Sequence, residues 1–535
     1  MRSILDYFPL EIPRKAQLST LKLIQEVIEA GCTDIVIEAP TGVGKTSLGA
    51  TACFFAADMP EKMYCGSTTK RGGYYLVNQK LLQDQISNDV AKNFKNKDFG
   101  SVKSSSTYPC EEYGNCQLGQ LAHMQGGAKC DHCPYKQAKS AFMEAKLSLT
   151  NYPYFLTEKL FVGDLPPRNV IVLDEAHGLA ETLLKYGEVV ISDKALKDMG
   201  IRSFEVPIIA DKQEFAKWLD EHYVPILKDA LEAVKAMSDN KNSQTLSQKL
   251  SAIQNMLQKV ETCVSSLRRT PDDWAFWIDN TEDEGKVAFC KPLNAAPYMD
   301  LIKKGGVVRV YMSAYPGEKN VFCRNLGLHP DEVAWFSVKS SFPKESRPII
   351  MSGMGSMSRR NIQATLPNML KAIERILDKH VDQKGCIHCG TYEIGKQIVA
   401  HFAGTPTAQR LLFAEKADYR DIVMEMHKST PAPTVLLSPS MTEGFDFAGE
   451  LARFQILVKV PYASLSDRSV VAKKDKDPDW YAQMALSTTL QAVGRGNRFS
   501  GDFCVHYLLD SDFSMLFDRH KSKLPKWFTE AIVKM

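Results

Sequence analysis

The sequence predicts an α/β protein of two parallel-sheet lobes, the first carrying two insertions. Three observations lead there. Residues 35–37 (Ile-Val-Ile) form a β-branched run that enters a Gly-rich turn and then a small, apolar helical stretch at 46–57. Residues 74–77 and 169–173 read as further buried strands, and strands that alternate with helices make a parallel sheet. From about residue 330 the same pattern returns, with candidate strands at 386–389, 434–438, 454–460 and 503–509.

Two blocks break the first lobe. Residues 98–148 lose the alternation and hold four cysteines. Residues 178–285 are expected to be mostly helical: Phe215, Trp218, Leu219, Ile226, Leu227, Leu231 and Val234 suggest helical periodicity, with Pro225 as a kink or a restart. Leu246, Leu250, Ile253, Leu257, Val260 and Val264 then form one apolar stripe on a long helix, expected to pack internally. The expected division is 1–97, 149–177 and 286–328 for the first lobe, 98–148 and 178–285 for its insertions, and 329–535 for the second lobe.

A chain of 535 residues has room for three or four domains at roughly 150 residues each. Its 44% hydrophobic and 24% charged residues are ordinary for a globular protein. A net charge of +3 does not by itself imply nucleic-acid binding, so any basic surface must be local. Met1 to Arg14 lack the apolar core of a secretory signal. No stretch approaches the ~18 apolar residues of a membrane span. The expectation is a cytoplasmic, reducing location without membrane partners, where clustered cysteines bind metal rather than form disulfides.

The first chemical motif is Ala39-Pro-Thr41-Gly42-Val43-Gly44-Lys45-Thr46. It fits the phosphate-binding loop G-x-x-x-x-G-K-[ST], with Ala39 in place of the first Gly. The glycines let backbone N–H groups curl around phosphate oxygens, Lys45 reaches the β- and γ-phosphates of ATP, and Thr46 ligates Mg²⁺. The second motif, Val172-Leu-Asp174-Glu175-Ala-His177, ends a strand with two carboxylates. Asp174 is placed to hold Mg²⁺ and Glu175 to activate the attacking water. The third, Gln491-Ala-Val-Gly-Arg495-Gly-Asn-Arg498, lies in the second lobe. Its two arginines can reach across a cleft to a transferring phosphoryl group, which makes hydrolysis depend on lobe closure.

With these motifs in this order the chain resembles superfamily 2 helicases, and more narrowly the DinG/XPD-like iron–sulfur branch. Phe8-Pro-Leu-Glu-Ile-Pro-Arg14-Lys-Ala-Gln17 is similar to the family's opening segment, which implies adenine contacts for Arg14 and Gln17. Leu82-Gln-Asp-Gln85, Thr150-Asn-Tyr152, Lys291-Pro-Leu293, Ser313-Ala-Tyr315 and Ser341-Phe-Pro343 with Arg347 follow in family order. Thr442-Glu-Gly444-Phe-Asp446 resembles motif V. The resemblance implies that His177, Gly444, Asp446 and Gln491 join the nucleotide site. It also implies two RecA-like lobes with a cluster domain and a helical arch. Two positions depart from the pattern. Tyr315 replaces the usual Thr of motif III, and Val77 and Gln79 stand where motif Ia commonly has Thr. Since motif III couples hydrolysis to strand movement in this family, coupling is the property these changes touch.

Cys110, Cys116, Cys130 and Cys133 are spaced C-x5-C-x13-C-x2-C, followed by Pro134-Tyr135. Four thiolates hold either a [4Fe–4S] cluster or tetrahedral zinc, and spacing alone does not choose. The block sits where the resembling family inserts its cluster domain, which favours the cluster. Cys386 and Cys389 read instead as a buried thiol pair. Lys92, Lys95, Lys97 and Lys103, with Phe94 and Phe99, precede the block, and Tyr135, Lys136, Lys139 and Lys146 follow it. They suit phosphate contact and base stacking, or equally a solvated helix face.

The resemblance implies an ATP-dependent motor that moves 5′ to 3′ on single-stranded DNA and unwinds tailed duplex. Its rivals are a translocase that remodels protein–DNA complexes and an ATP-switched nucleic-acid-binding scaffold. A nuclease is not expected, since no extra carboxylate cluster is visible and the chain begins almost at the first motif.

Overall fold

The computed structural model describes all residues except 1, 95–97, 111, 117–131, 164, 200, 202–205, 239–243, 282–284, 440–446, 448, 498, 500 and 535. Two seven-stranded sheets dominate it. In the first, the order across the sheet is Val333–Ser337, Asp34–Glu38, Gly306–Ser313, Arg168–Asp174, Lys70–Val77, Leu147–Asn151 and Phe99–Ser101, all parallel. The strand residues of Asp34–Glu38 and Arg168–Asp174 are buried throughout. Three acidic residues, Asp34, Glu38 and Asp174, sit inside. Asp34 is paired on the neighbouring strand by Arg309 at 2.6 and 2.7 Å and by the Tyr311 hydroxyl at 2.9 Å, as a buried charge requires.

Helix Lys45–Phe55 lies directly on this sheet. Gly49 allows the approach: a Cβ there would come within 2.9 Å of Tyr75, Met312 and Val172 side chains. The sheet therefore presents the ends of Asp34–Glu38 and Arg168–Asp174 at one edge, beside the N-terminus of that helix. This is where ligands bind in open α/β sheets.

The second sheet runs Leu411–Phe413, Val435–Ser438, Gly385–His388, Phe454–Leu457, Val505–Leu508, Ile349–Met351 and Ile532–Lys534, also all parallel. Helix Pro478–Val493 covers it on the side of the first lobe, and its last turn is buried.

The insertion around 178–285 holds helices Lys212–Trp218, Val224–Ser238 and Gln244–Arg269. Ile253, Val260 and Val264 of the stripe are buried in a core with Phe215, Leu219 and Tyr223. Pro225 lies just past the π-helical turn Leu219–Tyr223 that joins helix Lys212–Trp218 to Val224–Ser238, so its missing N–H falls at an irregular turn and not at a free helix start. An antiparallel sheet of Val189–Ser192, Gly285–Pro292 and Trp274–Thr281 backs these helices. Three expected boundaries therefore move. Gly285–Pro292 pairs within the insertion rather than the first lobe, and Val333–Ser337 pairs with Asp34–Glu38, which carries the first lobe past residue 328. Phe99–Ser101 is likewise an edge strand of the first-lobe sheet.

Candidate active site

The loop before helix Lys45–Phe55 turns on two glycines with positive φ, Gly42 at 78° and Gly44 at 89°. Glycine takes this conformation without strain. Gly44 is the N-cap, so the first N–H groups and the helix dipole face the cavity in front of it, a ready anion site. Two residues of the opening segment brace the loop from behind. Arg14 donates to the Gly42 carbonyl at 2.6 Å, and the Gln17 amide donates to that of Val43 at 2.9 Å. Gln17 also accepts from the Arg14 N–H at 3.0 Å.

In front of the loop is a cavity of about 430 Å³. Arg14, Thr41, Gly42, Gly44, Lys45, Thr46, Asp174, Glu175 and His177 line it from the first lobe, and Gln491 and Arg495 from the second. Gln17 and Val43 do not. They meet each other under the loop, where Gln17 holds its shape.

The acids are held differently. Asp174 accepts from the Tyr75 hydroxyl at 2.9 Å and from the Glu175 N–H at 3.0 Å. Its backbone carbonyl accepts from Tyr152 at 2.8 Å. Glu175 sits at φ 52°, a conformation that costs energy for a non-glycine residue and turns its side chain off the strand. Its oxygens lie 3.3 Å from Lys45 Nζ and 3.4 Å from His177 Nδ1. Burial, with the charge of Glu175 next, pushes the Asp174 carboxyl above its ordinary range. Burial opposes ionisation of Glu175 too, but Lys45, His177 and Arg495 outweigh it and hold this carboxyl low. Neighbouring acids pushed apart in this way are the mark of divided roles. Glu175 stays ionised, and a divalent cation near Asp174 would compete with the proton its raised carboxyl favours. Thr46 and Asp174 offer the hard oxygen ligands that suit Mg²⁺.

His177 joins motifs. Its Nδ1 is 3.1 Å from Ser313 Oγ and 3.3 Å from Gln491 Nε2. Thr41 donates to the Gly494 carbonyl at 2.6 Å. Glu175, Ser313 and the second lobe thus share one polar network through His177. Tyr315 of motif III is fully buried in the apolar cluster of the second lobe, among Leu457, Val460, Leu486 and Leu490. Gly444, Asp446, Arg498 and Cys130 lie outside the described residues.

Of the cysteines, Cys110 is on a small hairpin, Pro109–Cys110 with Gly114–Asn115. Cys133 precedes helix Pro134–Glu144, and the Cys116 and Cys133 sulfurs are 3.7 Å apart. Among the described residues no group of three or more His, Cys, Asp or Glu is close enough to hold a metal. Cys386 and Cys389 are buried.

Two of the three flanking aromatics are buried, while Phe99 is half-buried. Phe94 is buried against Phe54 and Tyr135 is buried beside Tyr154. Lys139 and Lys146 pair with Glu158 and Asp98 at 2.9 and 3.5 Å, and Lys103 pairs with Asp84. Lys92 and Lys136 are exposed. Lys95 and Lys97 lie outside the described residues. Tyr75, Tyr152 and Ser313 were the partners that motif reading did not assign to the acids and His177. Their signal, hydroxyl side chains at strand ends beside the acids, is visible only once register is known.

Two family models match the chain: DEAD_2 over residues 80–196 and the helicase C-terminal domain over residues 373–531. The "ATP-dependent DNA helicase CHL1" of Scheffersomyces stipitis is 21% identical over 348 residues, 56% of this chain and 40% of that protein. The "Regulator of telomere elongation helicase 1 homolog" of Caenorhabditis briggsae is 28% identical over 143 residues, 24% of this chain and 14% of that protein. The chain thus spans less than half the length of these relatives. Among solved structures, "XPD_Helicase" matches over 98% of this chain and 100% of that one, with a TM-score of 0.62 and 16% identity. The S. tokodaii Xpd4 structure matches over the same 98%, with a TM-score of 0.60 and 15% identity. The family models fall on the segments that carry the second acid motif and the arginine motif, and the fold that joins those segments is that of the XPD structures: the chain belongs to the DinG/XPD-like family of superfamily 2 helicases.

Proposed function

We infer that the chain is an ATP-dependent DNA helicase that moves 5′ to 3′ on single-stranded DNA and separates tailed duplex. One observation carries this. Lys45, Asp174 and Glu175 of the first lobe and Gln491 and Arg495 of the second line a single cavity. ATP held there would touch both lobes, so its γ-phosphate favours a closed arrangement and its loss an open one. Lys45 leaves Glu175 for phosphate, Glu175 takes a proton from the attacking water, and Arg495 offsets charge on the transferring group. Mg²⁺ bound by Thr46 and Asp174 would neutralise phosphate charge. DNA as the track is supported by the relatives named as DNA helicases. The insertion between strands Phe99–Ser101 and Leu147–Asn151 serves as cluster domain, and the insertion that ends with strand Gly285–Pro292 serves as arch along the strand's path.

Cys110, Cys116 and Cys133, with Cys130, would hold the metal centre, which would pin their loop to helix Pro134–Glu144. Family position supports [4Fe–4S]. Zinc is the second reading, since four thiolates also make a tetrahedral zinc site, and the 3.7 Å between Cys116 and Cys133 is a thiol contact like the 3.5 Å between Cys263 and Cys290, so it does not choose between the two. Iron, sulfide and zinc analysis of anaerobically purified protein separates the two.

The test of function is strand displacement on duplexes with a 5′ or a 3′ single-stranded tail, with Lys45→Ala as blank. ATP-dependent release of the 5′-tailed substrate alone supports the reading. Release from the 3′ tail reverses the polarity. No release from either, with DNA-stimulated ATPase intact, makes the protein a translocase that does not unwind.

A further inference from the structure

One face of the second-lobe sheet is unusual for its position. Buried parallel strands read as near-continuous Val, Ile and Leu. Here Cys386, Gln455 and His506 are register neighbours on three adjacent strands, and all three are fully buried. The turn that follows helix Pro478–Val493 rests on this face. Gly496 is seated so closely that a Cβ would come 2.6 Å from Cys504 Sγ and 3.0 Å from the His506 ring.

The Gln455 amide, in the orientation that satisfies both of its ends, makes three bonds. Its nitrogen donates to His388 Nε2 and to the Ala492 carbonyl, both at 3.0 Å, and its oxygen accepts from the Gly496 N–H at 3.3 Å. In a continuing α-helix the Gly496 N–H would bond the Ala492 carbonyl directly. The helix has ended, and one side-chain amide bridges the two groups that have parted. Between them lies Arg495, whose own N–H turns back to the Ala492 carbonyl at 3.2 Å. Its side chain lines the nucleotide cavity. On the far side of the turn, the Gly494 carbonyl takes the bond from Thr41 of the phosphate-binding loop. The turn is held from below by Gln455 and from across the cleft by Thr41.

The geometry points to Gln455 as a positioning residue that fixes the turn carrying Arg495 into the nucleotide cavity. A buried amide is costly unless bonded, and an apolar side chain would fill this sheet face as well. The amide is therefore specific to the turn. The role rests on the hydrolysis reading above, because Arg495 matters here as a partner of the transferring phosphoryl group.

The test measures DNA-stimulated ATPase and thermal melting for wild type, Gln455→Met, Arg495→Ala and the double variant. Methionine keeps the length and loses the bonds. A small misplacement of a catalytic group costs on the order of 10²-fold in rate. Gln455→Met is expected to lower kcat by roughly 10–100-fold with the KM for ATP within about threefold. In the Arg495→Ala background it is expected to cost nothing further, since groups acting as a unit are non-additive. Wild-type kcat in Gln455→Met, or a loss that multiplies with that of Arg495→Ala, overturns the assignment. If Gln455→Met does not fold, Gln455→Glu decides by the same criteria, because it keeps the shape but sets a carboxylate oxygen against the Ala492 carbonyl. Wild-type protein without turnover would instead sink the hydrolysis reading, a result distinct from a wild-type-like Gln455→Met.

Discussion

At the scale of single residues, the two acids of the second motif make opposite demands on their surroundings. Glu175 is kept ionised against burial chiefly by Lys45 at 3.3 Å. Glu175→Gln should therefore leave ATP binding near wild type and lower kcat by about 10²–10⁴-fold, the usual worth of a general base. Equal losses in binding and turnover, measured with a fluorescent ATP analogue beside steady-state kinetics, would make the residue structural. Tyr315 poses a different question. It departs from the family's Thr, yet its ring is fully buried in the second lobe's apolar cluster, while Ser313 two residues earlier touches His177. Motif III thus reaches the second lobe through packing at Tyr315 and stays tied to the first through the Ser313 hydroxyl. Tyr315→Phe should keep unwinding within about twofold. Tyr315→Thr empties a packed site, where large-to-small changes cost about 2–5 kcal/mol. It should lose strand displacement more than DNA-stimulated ATPase. A Thr variant that unwinds as well as wild type would show that the departure from the family is without consequence.

At the scale of elements, the strands that carried chemistry were legible and several that carry only pairing were not. Asp34–Glu38, Lys70–Val77 and Arg168–Asp174 announce themselves as apolar runs leading into motifs. Leu411–Phe413 and Ile532–Lys534 are three-residue edges, too short for any period to show. Trp274–Thr281 and Gly285–Pro292 form a hairpin inside a block whose helical stripe dominated the reading. The Gln455 amide was invisible for another reason: its partners come from Gly385–His388 and from the end of Pro478–Val493, and only register brings them together. The same sheet face makes a pH prediction. Burial lowers His388 to about 4 and His506 to about 3, against about 6.5 when unfolded. Depressed histidines contribute stability that is present above pH 6.5 and is lost as pH falls from there toward 4 and 3. At pH 5 each should cost about 2 kcal/mol. Melting temperature should thus fall steeply between pH 6.5 and 5. His506→Leu, which removes a ring whose two nitrogens have no partner among the described residues, should make that slope about one proton shallower. An unchanged slope would place the acid sensitivity elsewhere.

At the scale of the whole molecule, the insertion after the acid motif touches both lobes. It springs from the first, and its sheet meets helix Arg468–Lys476 of the second. Lys476 pairs with Asp273 and donates to the Asp272 carbonyl at 3.1 Å, and Arg468 lies 3.0 Å from Asp279. Beside them Arg324 of the first lobe grips Asp477 at 2.7 and 3.0 Å. Exposed ion pairs contribute roughly 0–1 kcal/mol each, so this contact is too weak to hold the fold but strong enough to bias where the insertion sits. Lobe movement driven at the nucleotide cavity would carry helix Arg468–Lys476 with it, and the insertion would follow while the pairs hold. Reversing Asp273 and Asp279 to Lys should broaden the distance distribution between spin labels on the insertion and on the second lobe, with melting changed by only a few degrees. High salt should broaden the wild-type distribution in the same way, because exposed charges are screened within about 10 Å at 0.1 M. Adding Lys476→Asp and Arg468→Asp to the reversed pair should narrow it again. A distribution indifferent to both salt and charge reversal would mean that uncharged contacts alone seat the insertion on the second lobe.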